Sequence, residues 1–397
     1  LPLVRMLLHV FLVTMLMQVP IQVCLDGIIV TLKLVEVVSV AVKSVTVINR
    51  IFFFCSLLIF FFFAPYVYCQ NGNFEVMKFI GIINRDEEVK KILHPFYVYF
   101  DKFRKEIYVV DSKGGRILVY NERYYPLFTL DNRIGITNPI AVATDNVGYV
   151  CVLQVFSSNN RETRYKVTVF NRALLAVREI LLPHGIITER IAVDSKRRIL
   201  IPVYRIENKG DKGGNGGCGV LIYNFKGDMI GELKPEEDGK VVPIYQVKVD
   251  GKGRIFLVSI LAGRIFVYDS DMNFLFKFGE KGGVTGKLSN PKDIGIDEER
   301  DVAYVVDYMR HSVSVYDLKE KGRWLFEFGG MGWVEGWFQF PSSLDVGDGG
   351  RVYVADTFNS RIQVFEPLEG VGYDLTKTKN RVVYTDKWYR RYGYVVF

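Results

Sequence analysis

Histidine and cysteine are scarce in this chain of 397 residues, with four of one and five of the other. That cysteine content is far below the ~8% that marks a disulfide-stapled scaffold. There is no Cys-x-x-Cys-His, so the chain carries no covalent c-type haem signature. Gly-x-Ser-x-Gly, His-Glu-x-x-His and the Rossmann glycine pattern are all absent, which removes three common catalytic or dinucleotide signatures. No Asp-x-Asp-x-Asp-Gly loop occurs, so calcium has no EF-type site. Long stretches with helical periodicity are nearly missing as well.

Charge is missing from one end. Residues 3 to 68 hold only Arg5, Lys33, Lys43, Arg50, Asp26 and Glu36. Asn49-Arg50 precedes a thirteen-residue run, Ile51 to Phe63, apolar but for Ser56, and a short segment ending in Cys69-Gln70. Residues 47–69 therefore read as a secretory signal peptide, because the apolar core falls short of the ~20 residues that span a bilayer. A signal belongs at the start of a protein, so residues 1–46 are expected to be an over-extended upstream translation. The competing reading keeps residues 6 to 24 and 27 to 48 as membrane segments, which would make the remainder a tethered extracytoplasmic sensor. Beyond residue 69 stand 47 Lys and Arg against 42 Asp and Glu, a net charge of +5. That is too mild for a dedicated polyanion binder. The expected location is periplasmic or extracellular, with Cys151 and Cys218 the two cysteines of the mature chain.

What the sequence has in abundance is repetition. Gly279, Gly282, Gly286, Leu288 and Pro291 recur fifty residues later as Gly329, Gly332, Gly336, Phe338 and Pro341. Each proline leads into an apolar strand and a turn, then Ala303-Tyr-Val-Val-Asp307 or Val352-Tyr-Val-Ala-Asp356. Ile107 to Asp111 with Arg116 to Tyr120 is a third clear copy. Six strands end in an aromatic followed by Asn, Asp or Glu: Tyr120-Asn121, Phe170-Asn171, Tyr223-Asn224, Tyr268-Asp269, Tyr316-Asp317 and Phe365-Glu366. Their spacing of 45 to 53 residues defines six units.

Four-stranded units at this period stack into the blades of a β-propeller, since one blade alone cannot bury both faces. The expected fold is all-β, a six-bladed propeller of four-stranded antiparallel blades over residues 70–372. The sixth unit lacks an outer strand after Glu366, whereas Phe74 to Phe79 has the pattern of one and precedes the first unit. That segment is expected to close the ring. The linker Gly-x-x-Gly-x-x-x-Gly-x-Leu/Phe-x-x-Pro, the Tyr-Val-x-Asp strand and the Arg-Ile-x-Val-Tyr/Phe strand resemble the NHL-repeat family, over about residues 74 to 370. In units two to four the motif aspartate becomes Gln154, Val203 and Ser259.

Candidate chemistry is sparse. Asp111 with Arg116 and Asp356 with Arg361 bracket the same turn, and Arg264 and Asp307 occupy matching positions. The favoured reading is a charge-assisted pin on each hairpin; the functional alternative is a charged binding face at the channel mouth. Asp101, Asp145, Asp194, Asp250 and Asp297 sit at turns and suit turn chemistry better than calcium. His94, His184 and His311 all fall in connections that emerge on one face. Convergence would give an open zinc site, an arrangement that six-bladed amidating lyases related to this family resemble; solvated loop imidazoles are the favoured reading. The glycine-rich run Glu207 to Cys218 lacks a phosphate-loop ending and reads as a flexible loop.

Residues 373–397 form a tail in which Lys377, Lys379, Arg381, Lys387, Arg390 and Arg391 interleave with aromatics. Some animal NHL proteins bind RNA, yet with an export signal no nucleic acid is expected as partner, and a membrane only if the N-terminal segment is retained. The sequence thus points to an exported, non-catalytic binding or scaffolding propeller without cofactor, engaging a protein or small ligand on one face. The competing function is a metal-dependent lyase or lactonase at the channel mouth.

Overall fold

The structure, a computed structural model, describes residues 77–157, 162–205 and 219–368, with the short strands 23–25, 28–30 and 382–383. The chain divides into two compact units, Leu1–Asn73 and Phe74–Phe397. Of the first, a two-stranded antiparallel hairpin is described, Val23–Leu25 with Ile28–Val30. The expected signal segment, the glycine-rich run and nearly all of the tail lie outside the described residues. Among the described residues no helix is long and apolar enough to cross a membrane.

The second unit is an all-β six-bladed propeller. Strands are lettered a to d from the channel outward. Blade one comprises Pro95–Asp101, Glu106–Asp111, Arg116–Asn121 and Pro126–Leu130. Blade two comprises Pro139–Thr144, Val150–Ser157, Thr163–Phe170 and Ala176–Leu181. Blade three has a short inner strand, Ala192–Val193, then Ile199–Arg205, Gly219–Tyr223 and Met229–Leu233. Blade four is Gln246–Val249, Ile255–Ser259, Arg264–Tyr268 and Phe274–Phe278. Blade five is Pro291–Asp297, Val302–Asp307, Ser312–Asp317 and Arg323–Gly329.

Blade six takes Ser343–Val346, Val352–Asp356 and Arg361–Pro367 from the end of the unit, and Met77–Ile83 from its beginning. Ile362 faces Ile83 and Glu366 faces Lys78 in that antiparallel pair, so the first and last strands of the propeller share one sheet. The expected closure therefore exists, made by the described strand Met77–Ile83. Val382–Val383 adds a parallel fifth strand to the outer edge of blade five.

The recurring aromatic at the end of each c strand has a backbone cause. In all six blades the c–d pairing shifts register at that residue: Tyr120, Phe170, Tyr223, Tyr268, Tyr316 and Phe365. The bulge increases local twist and re-aims the chain into the c–d turn. The following Asn or Asp then caps the turn, as when the Asn121 carboxamide accepts from the Arg123 and Tyr125 amides at 2.9 and 3.1 Å. Blade six has no c–d turn, because its d strand arrives from the other end of the unit. Glu366 accordingly replaces the turn residue and pairs with Lys78 at 3.2 Å.

The core lies between blades. Tyr108, Tyr304 and Tyr353 of the repeat motif are buried, together with the Val and Ile residues on both faces of the b and c strands. Each fully buried side chain of this size contributes roughly 1.5–3 kcal/mol. Cys151 is one of them, and burial pushes its thiol pKa up, so it is an inert core residue; Cys218 lies outside the described residues.

Candidate functional site at the channel mouth

The turn aspartates supply a register for the channel. Asp101 and Asp297 end an inner strand, Asp145, Asp194 and Asp250 directly follow one, and all five cap the a–b turn; Gly347 holds the sixth position. Asp250, for example, accepts from the Arg254 amide at 2.8 Å and pairs with its guanidinium at 2.7 Å. Four residues before these positions stand Tyr97, Ala141, Arg190, Gln246, Asp293 and Ser343. They form a ring, and five of the six make polar or cation–π contacts within it.

Arg190 closes that ring. Its side chain is fully buried, and its guanidinium donates to the Ser342 carbonyl of blade six at 3.0 Å. Three aromatic rings surround it: Phe96 at 4.8 Å, Tyr97 at 5.1 Å and Tyr245 at 5.1 Å. One arginine from blade three thus touches blades one, four and six. Nε has no hydrogen-bond partner. Asp293 faces Ser343 Oγ at 2.5 Å, and it also accepts from the Gln246 carboxamide and from the Ile294 and Leu344 amides. Burial pushes its carboxyl pKa up, with Arg190 and Lys248 pulling it back.

One residue further out, the inner strand bulges. Pairing skips from Pro95 to Tyr97, from Pro139 to Ala141 and from Pro291 to Asp293, which leaves Phe96, Ile140 and Lys292 as extra residues. With Glu189, Tyr245 and Ser342 they compose the mouth ring. Tyr245 donates its hydroxyl to Glu189, and Ser342 Oγ donates to the Phe96 carbonyl at 2.7 Å. Lys292 Nζ lies 4.0 Å from the Tyr245 ring centroid and 5.5 Å from that of Tyr308. Burial pushes its ammonium below the lysine range; Glu189 opposes this and the Arg190 charge adds to it.

At the opposite end, where the a–b turns emerge, lies a cavity of ≈ 330 Å³. Its walls include Tyr99, Thr144, Lys248, Asp250, Glu298 and Asp345. Lys248 pairs with Asp345 at 2.6 Å and sits over the Tyr99 ring at 5.2 Å. Two layers of cross-blade contacts, one at Arg190 and one at Lys248, therefore occupy the channel between its two mouths.

The structure brings the expected acid–base pairs together and uses them internally. Asp111 accepts from the His94 amide at 2.8 Å and pairs with Arg116 at 3.3 Å; Arg116 also reaches Asp86 at 2.6 Å. Asp356 accepts from the Gln339 amide and pairs with Arg361, both at 2.7 Å. Asp307 accepts from the Ser289 and Asn290 amides at 2.6 and 3.0 Å. Each carboxylate is wholly buried and ties the d–a link onto its blade. Gln154 does the same in blade two, accepting from the Thr137 amide at 2.6 Å. Arg264 contacts Glu237 and the Gly279 carbonyl, both at 3.1 Å.

The three histidines have separate partners. His94 Nδ1 meets Ser112 Oγ at 3.0 Å, and His311 Nδ1 accepts from the Phe340 amide at 3.0 Å. His184 is exposed beside Arg164 and Glu162. His94 and His311 flank a row of phenyl rings, His94–Phe358–Phe340–His311, with centroids 5.8, 5.1 and 4.5 Å apart. Among the described residues no group of three His, Cys, Asp or Glu side chains could hold a metal.

Sequence reasoning missed the channel residues Arg190, Tyr245, Lys292 and Asp293. The signal was available: counting back four and five positions from the turn aspartates finds all of them.

Known proteins agree with this architecture. A family model described as NHL repeat matches residues 338–365, and one described as 6-bladed beta-propeller matches residues 232–323. The chain is a six-bladed β-propeller, with an NHL repeat matched at residues 338–365. It is 34% identical over 104 residues to NHL repeat-containing protein 2 of Homo sapiens, covering 23% of this chain and 14% of that protein. The chicken protein of the same name, from Gallus gallus, is 35% identical over 102 residues with the same coverage. The chain thus spans about a seventh of the length of these curated relatives. Among solved structures, it is similar to an auxiliary nutrient binding protein from Bacteroides thetaiotaomicron. That match has a TM-score of 0.52 and 12% identity, and covers 74% of this chain and 76% of the other. Likeness at that identity shows the fold alone.

Proposed function

We propose that the chain is an exported, non-catalytic binding module that engages a protein or ligand on the face formed by its b–c turns and d–a links. The observation that carries this reading is a set of large apolar side chains left in solvent on that face. They are Leu93, Leu261, Met309, Met331, Trp333 and Phe358, with Trp333 74% exposed and Met331 65%. Exposed apolar area costs about 25 cal/mol per Å² in lost burial, and its concentration on one side of a soluble fold marks an interaction surface. The a–b turns of the other face expose one large apolar side chain, Phe103, and carry ion pairs such as Lys102 with Glu298 at 2.5 Å and Lys105 with Asp348. A closed ring holds such loops rigid, which lowers the ordering cost of binding. Export is supported by the cation followed by a thirteen-residue run at 51 to 63 that is apolar but for Ser56.

A photo-cross-linking amino acid placed at Trp333, and separately at Phe103 on the opposite face, tests the reading in cells that make the protein. Adducts from position 333 and none from position 103 are expected; equal or absent adducts at both would overturn it.

A further inference from the structure

Lys292 is the one basic residue of the mouth ring. It is half-buried, and among the described residues its ammonium meets no carboxylate. The two nearby acids are engaged elsewhere. Glu189 accepts the Tyr245 hydroxyl, and Asp293 is turned inward to Ser343, Gln246 and two backbone amides. Beneath Lys292 lies a second cation, Arg190, buried and with Nε unpartnered. Aromatic rings wall the same place: Tyr308 lies 5.0 Å from Phe340, which continues to Phe358 at 5.1 Å.

A partly desolvated ammonium that rests on ring faces, with Glu189 near it but in no ion pair, gains from an anion that replaces its lost hydration. A single carboxylate suits it, because a charge-assisted N–H···O bond needs one donor and adds one charge. Of the six mouth-ring residues Lys292 alone is cationic, which suits one carboxylate better than a polyphosphate. The rings beside it offer offset or edge contacts to an apolar or aromatic body.

We propose that the mouth is a binding site for a carboxylate joined to an aromatic or apolar body. The carboxylate sits on Lys292 Nζ and the body lies against Tyr308 and Phe340. A free aromatic acid and the C-terminal residue of a peptide share this chemistry. The assignment rests on reading this face as the binding face.

Calorimetric titration of the full chain tests it with four probes: N-acetyl-L-phenylalanine, its amide, acetate, and Ala-Ala-Ala-Phe with a free C-terminus. The free acids are expected to bind, with the amide and acetate each weaker by tenfold or more. Lys292→Met is expected to lose about tenfold or more, the worth of one charge-assisted bond, and Lys292→Arg to keep most of the affinity. Tyr308→Leu, with the charge retained, should weaken the aromatic acid and leave acetate unchanged, which keeps the test alive should Lys292→Met unfold. Tighter binding of the peptide than of the amino acid assigns the carboxylate to a chain terminus; equal binding assigns it to a free acid. Equal affinity for acid and amide, unchanged affinity in Lys292→Met, or no uptake of either acid overturns the proposal. Acid binding without cross-links at Trp333 would leave this site standing and remove the wider binding face; the reverse result would do the opposite.

Discussion

Arg190 of blade three donates to the carbonyl of Ser342 on blade six, 3.0 Å away, across the axis of the ring. Blades three and six are opposite in a six-bladed ring, so the bond spans the channel. Two neighbouring facts give it weight: the guanidinium has no solvent exposure, and it is boxed by rings from blades one and four. A buried cation without a paired carboxylate is costly unless its surroundings are polarised toward it. Here three π faces, two carbonyls and the nearby Asp293 supply that.

Removing the plug should therefore cost more than a cavity alone. Arg190→Ala is expected to destabilise the propeller by about 3–5 kcal/mol, the range for breaking a buried charged network. Arg190→Met, which refills the volume without the charge, should recover a large part of that loss. Urea unfolding of the two variants measures the difference. Equal stability of Arg190→Ala and the parent would show that the channel contact is dispensable.

The motif aspartates lead to a contrast within one blade. Asp307 is buried and accepts from four backbone amides, those of Ser289, Asn290, Met309 and Arg310. Asp317, at the end of the next strand, accepts from the Lys319 amide and pairs with half-exposed Arg323 at 3.4 Å. Asp307→Ala should cost about 3 kcal/mol, because inward amides of the d–a link are left unmet. Asp317→Ala should cost about 1 kcal/mol or less, as for exposed pairs and turn caps. Denaturant midpoints at constant m-value decide between this ordering and its reverse.

Much of the fold was legible because backbone requirements repeat while surfaces do not. The aromatic-Asx ending marks a bulge and a capped turn in every blade that has a c–d turn, so six units could be counted from it. Glu366 broke that pattern for a topological reason that becomes visible only when the closing strand is placed. The site was less legible. At the channel position the six blades present Tyr97, Ala141, Arg190, Gln246, Asp293 and Ser343, with no residue type recurring. A repeat search discards such a column as noise, yet divergence at one facing position is what a shared central site produces. The charged motif residues drew attention because they recur, and recurrence here reflects pinning of the links. His94, His184 and His311 were all expected on one face, but spacing could not reveal that two phenyl rings stand between His94 and His311.

Ring closure makes a further expectation. Met77–Ile83 is the d strand of blade six, and Phe79 packs on Phe365 with centroids 5.9 Å apart. Without it, the c strand Arg361–Pro367 becomes an unpaired edge and the blade loses one of its four strands. A chain lacking residues 77–83 should lose cooperative thermal unfolding and bind a hydrophobic dye in the native buffer. Supplying the segment as a separate peptide should restore a single transition; an unaltered melt of the shortened chain would rule out velcro-like closure.

His311 predicts how stability responds to acid. The residue is buried with φ near 55°, and its Nδ1 lone pair accepts the Phe340 amide. Protonation would convert that acceptor into a donor facing another donor. Burial lowers the imidazole pKa below its usual value, with Asp307 and Asp356 pulling the other way. For a base whose folded pKa is lowered, the favourable contribution is complete above the unfolded value of about 6.5. It is lost as pH falls through that value toward the folded one, because the unfolded chain takes up the proton first. His94 is lowered too, so the whole protein should weaken between pH 7.5 and 5. His311→Asn tolerates the left-handed backbone and retains an acceptor without a titrating proton. Its melting temperature should fall less over that range than the parent's, so the gap between the two narrows toward pH 5. A gap that stays constant or widens would place the acid sensitivity in other residues.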